Sequence, residues 1–423
     1  MMRSMFAAIS GLKNHQTFMD VVGNNIANVN TTGFKQSRVT FQDILSQTVR
    51  GASGPQNGRG GVNPEQVGLG MLISGIDTIQ TQGTLQSTGK LTDMAIQGDG
   101  YFVMSDGKQQ LFTRDGSFDL GTDGSLVNPS NGLHVLGWMP DATGKINTAT
   151  PPGNITIPVG SGMTGKASTS VTVTGNLDAN TASSTATPPG TPYPLSTTVY
   201  DAQGNAVPIT LTFTKVGPNQ WTFAPTTTQT GLTVATVGSN SVVFDGSGKI
   251  TTPSASSPVS LTLTYANTGT TVPTTPQTLT LDMSAMTQLA SSPSSLTGNT
   301  DGASAGTLTS FTVGEGGDIT GVYSNGYKQP LGQMAMASFA NPDGLEKAGG
   351  NLFSTSANSG NAQIGTPDTQ GRGTIATGFL EGSNVDLAQQ FTNMIMAERG
   401  FQANSKVITT SDEMLQDLVD LKH

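Results

Sequence analysis

The stretch MFAAISGLKNHQTFMDVVGNNIANV, residues 5–29, decides the fold of this 423-residue chain. Seven apolar residues and one histidine recur in it at alternating spacings of three and four, which is the period of a coiled-coil helix. Asn28 and residues 30–33 then favour the end of the helix. The positions of this repeat form the N-terminal half of a predicted seam: Met5, Ala8, Leu12, His15, Met19, Val22, Ile26 and Val29.

The last 40 residues carry a second helical pattern. Ser383 and Asp386 have capping-box spacing before it, and Gly400 costs about 1 kcal/mol of helix stability within it. Two long amphipathic helices at opposite chain ends predict antiparallel pairing or a bundle shared between subunits, with two surface helices on a β core as the alternative. The apolar positions of this C-terminal pattern form the second half of the predicted seam: Leu387, Phe391, Met394, Ile395, Phe401, Ile408, Leu415 and Leu418.

The sequence between the helices is β-like. Residues 146–284 contain 34 threonines and only seven charged residues among 139 positions, and threonine favours strands. Apolar residues alternate with polar ones at 209–213, 261–265 and 279–283, which predicts strands with one buried face in a small sandwich or barrel. The fold class is therefore α+β, with the terminal helices forming a coiled-coil-like inner layer and two mainly β domains, one inserted in the other.

The domain organisation follows from these composition changes. Residues 1–30 with 384–423 form a helical inner domain, and residues 31–70 with 360–383 form an extended linker region, because residues 42–69 are polar and rich in Gly and Pro. Residues 71–145 with 285–359 form a middle β domain. Residues 146–284 form a Thr-rich outer β domain.

Composition limits the chemistry. The net charge is −9, from 19 basic and 28 acidic residues, which disfavours nucleic acid as a partner. The chain has no cysteine and three histidines without a metal-binding or triad spacing, so we predict no catalytic residue, no metal site and no cofactor. No apolar run reaches the length of a membrane helix, which predicts no membrane insertion. An enzyme that uses a carboxylate pair, such as a glycosidase, stays open from the residues alone.

Several motifs resemble a known family, the axial proteins of the bacterial flagellum, which are the rod and hook subunits. The resemblance is carried by NNIANVNTTGFK at 24–35, LEGSNVD at 380–386 and AERGFQANSK at 397–406, with DGYFV at 99–103 and FTRDGSF at 112–118 between them. Glu398 stands where glutamine is commoner in the family. The signature residues are Asn24, Asn25, Ala27, Asn28, Gly33, Phe34, Asn384, Asp386, Arg399, Phe401 and Asn404.

Within the family, the large Thr-rich insert resembles the hook branch, since rod subunits are shorter. The resemblance implies a structural protein that polymerises into a curved, flexible tube and transmits motor torque from rod to filament as a universal joint. The implied partners are further copies of the chain, the hook cap, the distal rod, the hook–filament junction proteins and the flagellar export apparatus. The implied location is the extracellular hook.

The start of the chain is expected to belong to the mature protein. Arg3 is its only basic residue before the apolar run, and the helical pattern continues through Ile26, where a cleaved leader would have ended. We therefore expect export without a cleaved signal peptide. Two alternatives remain: a distal rod subunit, and, outside the family, a Thr-rich β adhesin or fibre protein.

Overall fold

The computed structural model describes residues 2–55, 60–141, 144–254, 258–266, 276–290 and 292–420. Two long helices stand at its ends, α1 over Met2–Ala27 and α2 over Leu387–Asp420, and a short 3-10 helix covers Pro342–Gly344. The rest of the described structure is strands and their connections. This bears out the α+β class.

The strands are numbered along the chain. The first group is β1 Ser37–Asp43, β2 Ser46–Arg50, β3 Glu65–Gly68, β4 Met71–Thr78, β5 Leu85–Ser87, β6 Met94–Gln97, β7 Tyr101–Ser105, β8 Gln110–Thr113, β9 Asp119–Leu120, β10 Leu126–Val127, β11 His134–Trp138 and β12 Gly153–Asn154. The second group is β13 Gly162–Met163, β14 Ser170–Asp178, β15 Tyr193–Tyr200, β16 Ala206–Gly217, β17 Gln220–Thr227, β18 Leu232–Val237, β19 Ser241–Phe244, β20 Ile250–Thr252, β21 Val259–Tyr265, β22 Gln277–Leu289 and β23 Ser295–Thr300. The third group is β24 Gly306–Val313, β25 Asp318–Tyr323, β26 Lys328–Met334, β27 Met336–Ser338, β28 Glu346–Gly349, β29 Leu352–Ser354, β30 Gln363–Gly365, β31 Thr374–Thr377 and β32 Phe379–Glu381.

The chain divides into two compact units. The first contains Met1–Pro158, Thr312–Thr320 and Pro330–His423, and the second contains Val159–Phe311 and Gly321–Gln329. This two-way division is coarser than the four-part organisation expected from the sequence, which stays a prediction.

The second unit is a β-sandwich. Its two five-stranded sheets have the orders β18-β21-β22-β14-β23 and β15-β16-β17-β19-β20, and one hydrophobic core lies between them. Trp221 and Phe213 are fully buried in that core, and the alternating residues of β16, β21 and β22 point into it as expected. Most neighbouring strands are antiparallel, but β14 and β22 are parallel.

The β part of the first unit is built on strands in the order β26-β11-β7-β8-β29-β28. Tyr101, Phe112, Phe339 and Phe353 pack edge to face in its core. Two short antiparallel pairs, β6 with β31 and β5 with β32, bring the segment before α2 alongside the segment that precedes β7. These pairs position Glu381 near the end of α1 and the start of α2, which together we call the base of the helices.

A β-hairpin occupies much of the stretch that the sequence suggests is an extended connector. β1 pairs with β4, and β2 pairs with β3, both antiparallel, so residues 37–50 run against residues 65–78. The hairpin packs on α1: Asn14 Nδ2 donates to the Met71 carbonyl at 2.6 Å, and Phe18 meets Phe41 edge to face. Most of the glycines and prolines that suggested a connector lie between β2 and β3, and residues 56–59 of that segment, with Gly58, lie outside the described residues.

Candidate assembly interface

The terminal helices pair antiparallel within one chain. Asn25 of α1 donates to Gln390 Oε1 of α2 at 3.2 Å. Ten residues back along α1, His15 lies against Gly400, ten residues further along α2. Four more residues in each direction bring Gly11 against Asn404. Equal steps in opposite directions define one continuous antiparallel register.

The buried positions of this helix pair are small or polar. They are Ala8, Gly11, Val22 and Asn25 on α1, and Gln390, Ala397 and Ser411 on α2. Glycine at the contact brings the helix axes close, because the distance between axes depends on the side chains at the crossing. An added Cβ at Gly400 would lie 2.6 Å from the His15 ring. The glycine lowers helix stability but leaves room for that ring.

Part of the α1 half of the predicted seam lies in the helix pair. Ala8 and Val22 are buried and His15 contacts Gly400, with Gly11 and Asn25 as further contact positions. The role of this seam between subunits stays a prediction. Val29 lies in the turn beyond the end of α1. The remaining members of this half are half-buried: Met5, Leu12, Met19 and Ile26.

The α2 half of the predicted seam divides into two sets. One set, half-buried beside α1, is Met394, Phe401, Ile408 and Leu415. The other set is exposed: Leu387, Phe391, Ile395 and Leu418. Within a single chain, the helix pair therefore covers half of these eight positions.

Three exposed apolar patches remain on the helices. The α1 patch is Met2, Phe6 and Ile9, which lie on the face of α1 turned away from α2. The α2 start patch is Leu387, Phe391 and Ile395, and the α2 end patch is Val407, Met414 and Leu418. Phe6, Ile395 and Leu418 are each more than half exposed, at 59, 58 and 57%.

Asp386 starts α2 as its N-cap. Its Oδ1 accepts hydrogen bonds from the backbone N–H groups of Ala388 at 2.9 Å and Gln389 at 3.3 Å. A carboxylate at this place satisfies free N–H groups and interacts favourably with the helix dipole. Ser383 accepts from Val385 N instead, so the capping box expected from Ser383 and Asp386 is replaced by a single Asp cap.

An amide network joins the base of the two helices. Asn25 Nδ2 donates to the Ser37 carbonyl at 2.8 Å, and its Oδ1 accepts from Ser37 N at 2.9 Å. Gln390 Nε2 donates to Gln36 Oε1 at 3.0 Å, and Asn384 Oδ1 accepts from Gln36 N at 2.8 Å. The network, Asn25, Gln36, Asn384 and Gln390, fixes the exit of α1 and the entry of α2 against the same short segment.

A buried ionic cluster lies directly beneath the network. Lys35 Nζ is 2.6 Å from Glu381 Oε1 and donates to the Thr81 carbonyl at 2.8 Å, and Arg114 Nη1 is 3.4 Å from Glu381 Oε2. All three side chains are almost completely buried. Loss of hydration lowers the pKa of Lys35 from its ordinary 10.5, and the Glu381 carboxylate opposes that shift. We call Lys35, Arg114 and Glu381 the junction cluster.

Two further signature residues close the junction. Gly33 has a φ of +67° and donates its N–H to the Glu381 carbonyl, and an added Cβ there would lie 2.6 Å from Asp115 N. Phe34 is buried, with the Lys347 ammonium 5.1 Å from its ring centre. Only glycine fits the backbone at position 33.

The remaining signature residues play smaller parts. Asn28 Nδ2 donates to Asn24 Oδ1 at 2.9 Å, and Asn404 Nδ2 donates to the Gly400 carbonyl. Arg399 is exposed and donates to Gln402. Ala27 is exposed at the end of α1, and Phe401 is half-buried beside α1.

Sequence reasoning missed the junction cluster and Gln390. Lys35, Arg114 and Glu381 lie inside the motifs that carry the family resemblance, yet nothing local pairs residues so far apart in the chain. A signal was present: in a chain with 11% charged residues, a charged residue inside an apolar or Gly-rich motif is unusual. Buried charges need partners, so these three were candidates for pairing with one another.

Across the described ranges, no group of His, Asp and Glu residues is arranged to hold a metal ion. No helix that the structure describes is long and apolar enough to cross a membrane. The exposed apolar patches lie on the two helices whose bases the junction cluster holds together.

Family models match the chain in four places. They are "Flagella basal body rod protein" over residues 5–35, "Flagellar hook protein FlgE/F/G D1 domain" over 95–179, "Flagellar basal body protein FlaE D2 domain" over 176–303, and "Flagellar basal body rod FlgEFG protein C-terminal" over 376–421. The first and last matches contain the two helices.

Full-length relatives agree with these matches. The chain is 42% identical to the flagellar hook protein FlgE of Borreliella burgdorferi and 40% identical to that of Treponema pallidum, over the whole of each chain. The crystal structure of the Helicobacter pylori flagellar hook protein FlgE2 superimposes with a TM-score of 0.51 at 17% identity, covering 70% of this chain and all of the other. At that identity, the superposition supports the fold alone.

Proposed function

We propose a role for the three apolar patches in subunit assembly, starting from the premise that this chain belongs to the flagellar hook protein family, FlgE. It is a structural subunit of the bacterial flagellar hook and not an enzyme. It polymerises in the extracellular axial part of the flagellum, the hook that joins rod and filament. The relatives that support this are hook proteins over their full length, which disfavours the adhesin alternative.

The exposed patches are the observation that carries the proposal. Isolated exposed apolar residues are ordinary, but here they are grouped on two helices that already bury one face of each against the other. Covering apolar surface gains about 25 cal/mol for each Å² removed from water. Neighbouring subunits cover the patches in the polymer, so the helices form its inner layer.

In this proposal, the junction cluster transmits force between the β part of the first unit and the helices. Lys35 precedes β1, Arg114 follows β8, and Glu381 ends β32, so the cluster connects both helix bases to the β part of the first unit. A force on the β part then reaches the helices through a buried, hydrogen-bonded connection. This gives the hook a rigid joint at the helix base while it bends elsewhere.

Partners beyond the homopolymer follow from position in the flagellum. We propose contacts with the hook cap, the distal rod and the hook–filament junction proteins at the two ends of the tube, and passage through the flagellar export apparatus. We also propose that residues 2–27 are retained in the mature protein, because Ala8, Gly11 and Asn25 contribute to the helix pair.

Phe391→Ser tests the proposal. Phe391 is 51% exposed in the single chain, so its replacement leaves most of the monomer's packing unchanged while it removes an apolar contact from the polymer. We expect loss of tubes in electron micrographs, with the circular dichroism and melting of the monomer unchanged. Gln389→Ser, an exposed polar position on the same turn, is the matched control and should assemble normally. Normal tubes from Phe391→Ser would contradict the proposal.

A further inference from the structure

We propose that the basic start of α1 in one subunit binds the acidic end of α2 in a neighbouring copy, which rests on the proposed assembly function. The contact would join the α1 patch, with Arg3 and Lys13 beside it, to the α2 end patch, with Asp417 beside it. Of the exposed apolar surfaces on the helices, this contact would pair these two specific faces.

The charges of the two helix ends are complementary. The first charged residues of α1 are Arg3 and Lys13, and no acidic residue occurs before Asp20. In α2 the order is reversed, because no basic residue follows Lys406 within the described helix. The last three turns carry four acidic residues, all exposed: Asp412, Glu413, Asp417 and Asp420.

The charges in the terminal turns oppose the stability of their own helices. Arg3 near the N-terminus of α1, and Asp417 and Asp420 near the C-terminus of α2, interact unfavourably with the helix dipoles, an effect confined to the first and last turns. Both helices lack the favourable pattern: α1 has no acid in its first turn, and α2 has no base in its last turn. A group of opposite charge outside the isolated helix would offset this unfavourable interaction.

The charges lie beside the apolar patches. Met2, Phe6, Ile9 and Lys13 are spaced by four, three and four residues, so they form one exposed stripe about half a turn around α1 from the buried contact positions. On α2, Asp417 lies beside Leu418 and three residues after Met414, on the side turned away from α1. Each face therefore combines an apolar centre with a charged edge.

Pairing within one chain accounts for only part of this arrangement. The register of the helix pair, in which Asn25 meets Gln390 and Gly11 meets Asn404, places Arg3 beside Asp412 of the same chain. The same register places Lys13 beside Gln402 and carries Asp417 past the start of α1, so Lys13 and Asp417 do not meet within one chain. Among the residues that the structure describes, neither Arg3 nor Lys13 forms an ion pair, and neither do the four acids of α2. Lys13 and Asp417 both point away from the helix pair. Two different, complementary faces on one chain give a head-to-tail contact, which generates an open helical array when the rotation does not close. A second copy is therefore the occupant that fits.

Charge reversal and mixing of variants test the contact. Lys13→Glu and Asp417→Lys should each abolish tubes, whereas Lys108→Glu, the same charge change in an exposed turn, should leave them intact. The double variant Lys13→Glu/Asp417→Lys should restore tubes. Co-expression of the two single variants in cells without the normal protein should also restore them, because each face then meets its complement on the other variant.

The mixing experiment separates contacts between chains from contacts within a chain. Restored tubes that contain both variants support the proposal. Tubes from the double variant but not from the mixture would overturn it in favour of a contact within one chain. Normal tubes from either single variant, or none from the double variant, would also overturn it. If Phe391→Ser still abolishes tubes in those cases, the general assembly function stands and only this contact is wrong.

Discussion

Lys35 Nζ lies 2.6 Å from Glu381 Oε1 in a pair from which solvent is fully excluded, although the two residues are 346 positions apart in sequence. Arg114 approaches the second oxygen of the same carboxylate, and the Gly83 N–H donates to the first at 2.8 Å. One carboxylate thus gathers groups from three separate parts of the chain. In the first unit, this carboxylate joins the segments next to both terminal helices to Arg114, which follows β8.

Glu381→Gln should destabilise the first unit strongly. The substitution keeps the shape of the side chain but leaves the Lys35 and Arg114 charges buried without a counter-charge. Removing one partner of a buried ion pair costs about 3–5 kcal/mol. Urea unfolding followed by circular dichroism would measure the loss.

The matched control is Glu65→Gln. Glu65 and Arg50 are also 2.6 Å apart, but both side chains are more than half exposed. Exposed pairs contribute less than about 1 kcal/mol, so this variant should unfold almost like the normal protein. Equal losses for the two variants would show that burial of the junction cluster does not matter.

Gly400→Ala and Gly23→Ala should have opposite effects on helix stability. Alanine is favoured over glycine by about 1 kcal/mol inside a helix, and nothing lies within 4 Å of an added Cβ at Gly23. At Gly400 the same Cβ would displace the His15 ring and separate the helices. Thermal melting of assembled tubes should rise for Gly23→Ala and fall for Gly400→Ala. A rise for both would refute the close approach of α1 and α2.

Removal of the Thr-rich sandwich should leave assembly intact. The two chain segments that enter and leave it meet where Lys166 and Ala303 exchange backbone hydrogen bonds of 2.9 and 3.0 Å. Deleting residues 168–301 with a two-glycine bridge therefore joins ends that are already neighbours. We expect export and tubes visible by electron microscopy. Absence of tubes from a folded deletion variant would place essential contacts in the sandwich.

The periodicity of the terminal segments predicts the helices well and their contact face less well. The apolar repeat contains the half-buried Leu12 and Ile26, whereas the fully buried contact positions include their neighbours Gly11 and Asn25. A repeat of large apolar residues indicates which side of a helix avoids water. It does not distinguish residues that contact the partner helix from residues that stay exposed within the chain, such as Phe391 and Ile395.

Long-range pairing was beyond sequence reasoning. The family motifs contain Lys35, Arg114 and Glu381, but the ion pairs depend on β5 pairing with β32 and β6 with β31, which bring distant segments together. The hairpin of residues 37–78 was missed for a different reason. Two of its four strands, β2 and β3, have only five and four residues, and their exposed residues weaken the alternation that marks a strand.

Amide exchange in monomer and polymer tests the central claim, that neighbouring subunits cover the terminal helices. Ordering a residue costs about 1–2 kcal/mol of backbone entropy, and one helix pair with exposed apolar patches returns little of it. We predict rapid exchange of residues 5–27 and 387–420 in a verified monomer and strong protection of the same residues in tubes, while the sandwich is protected in both. Strong protection of both helices in the monomer would contradict the account.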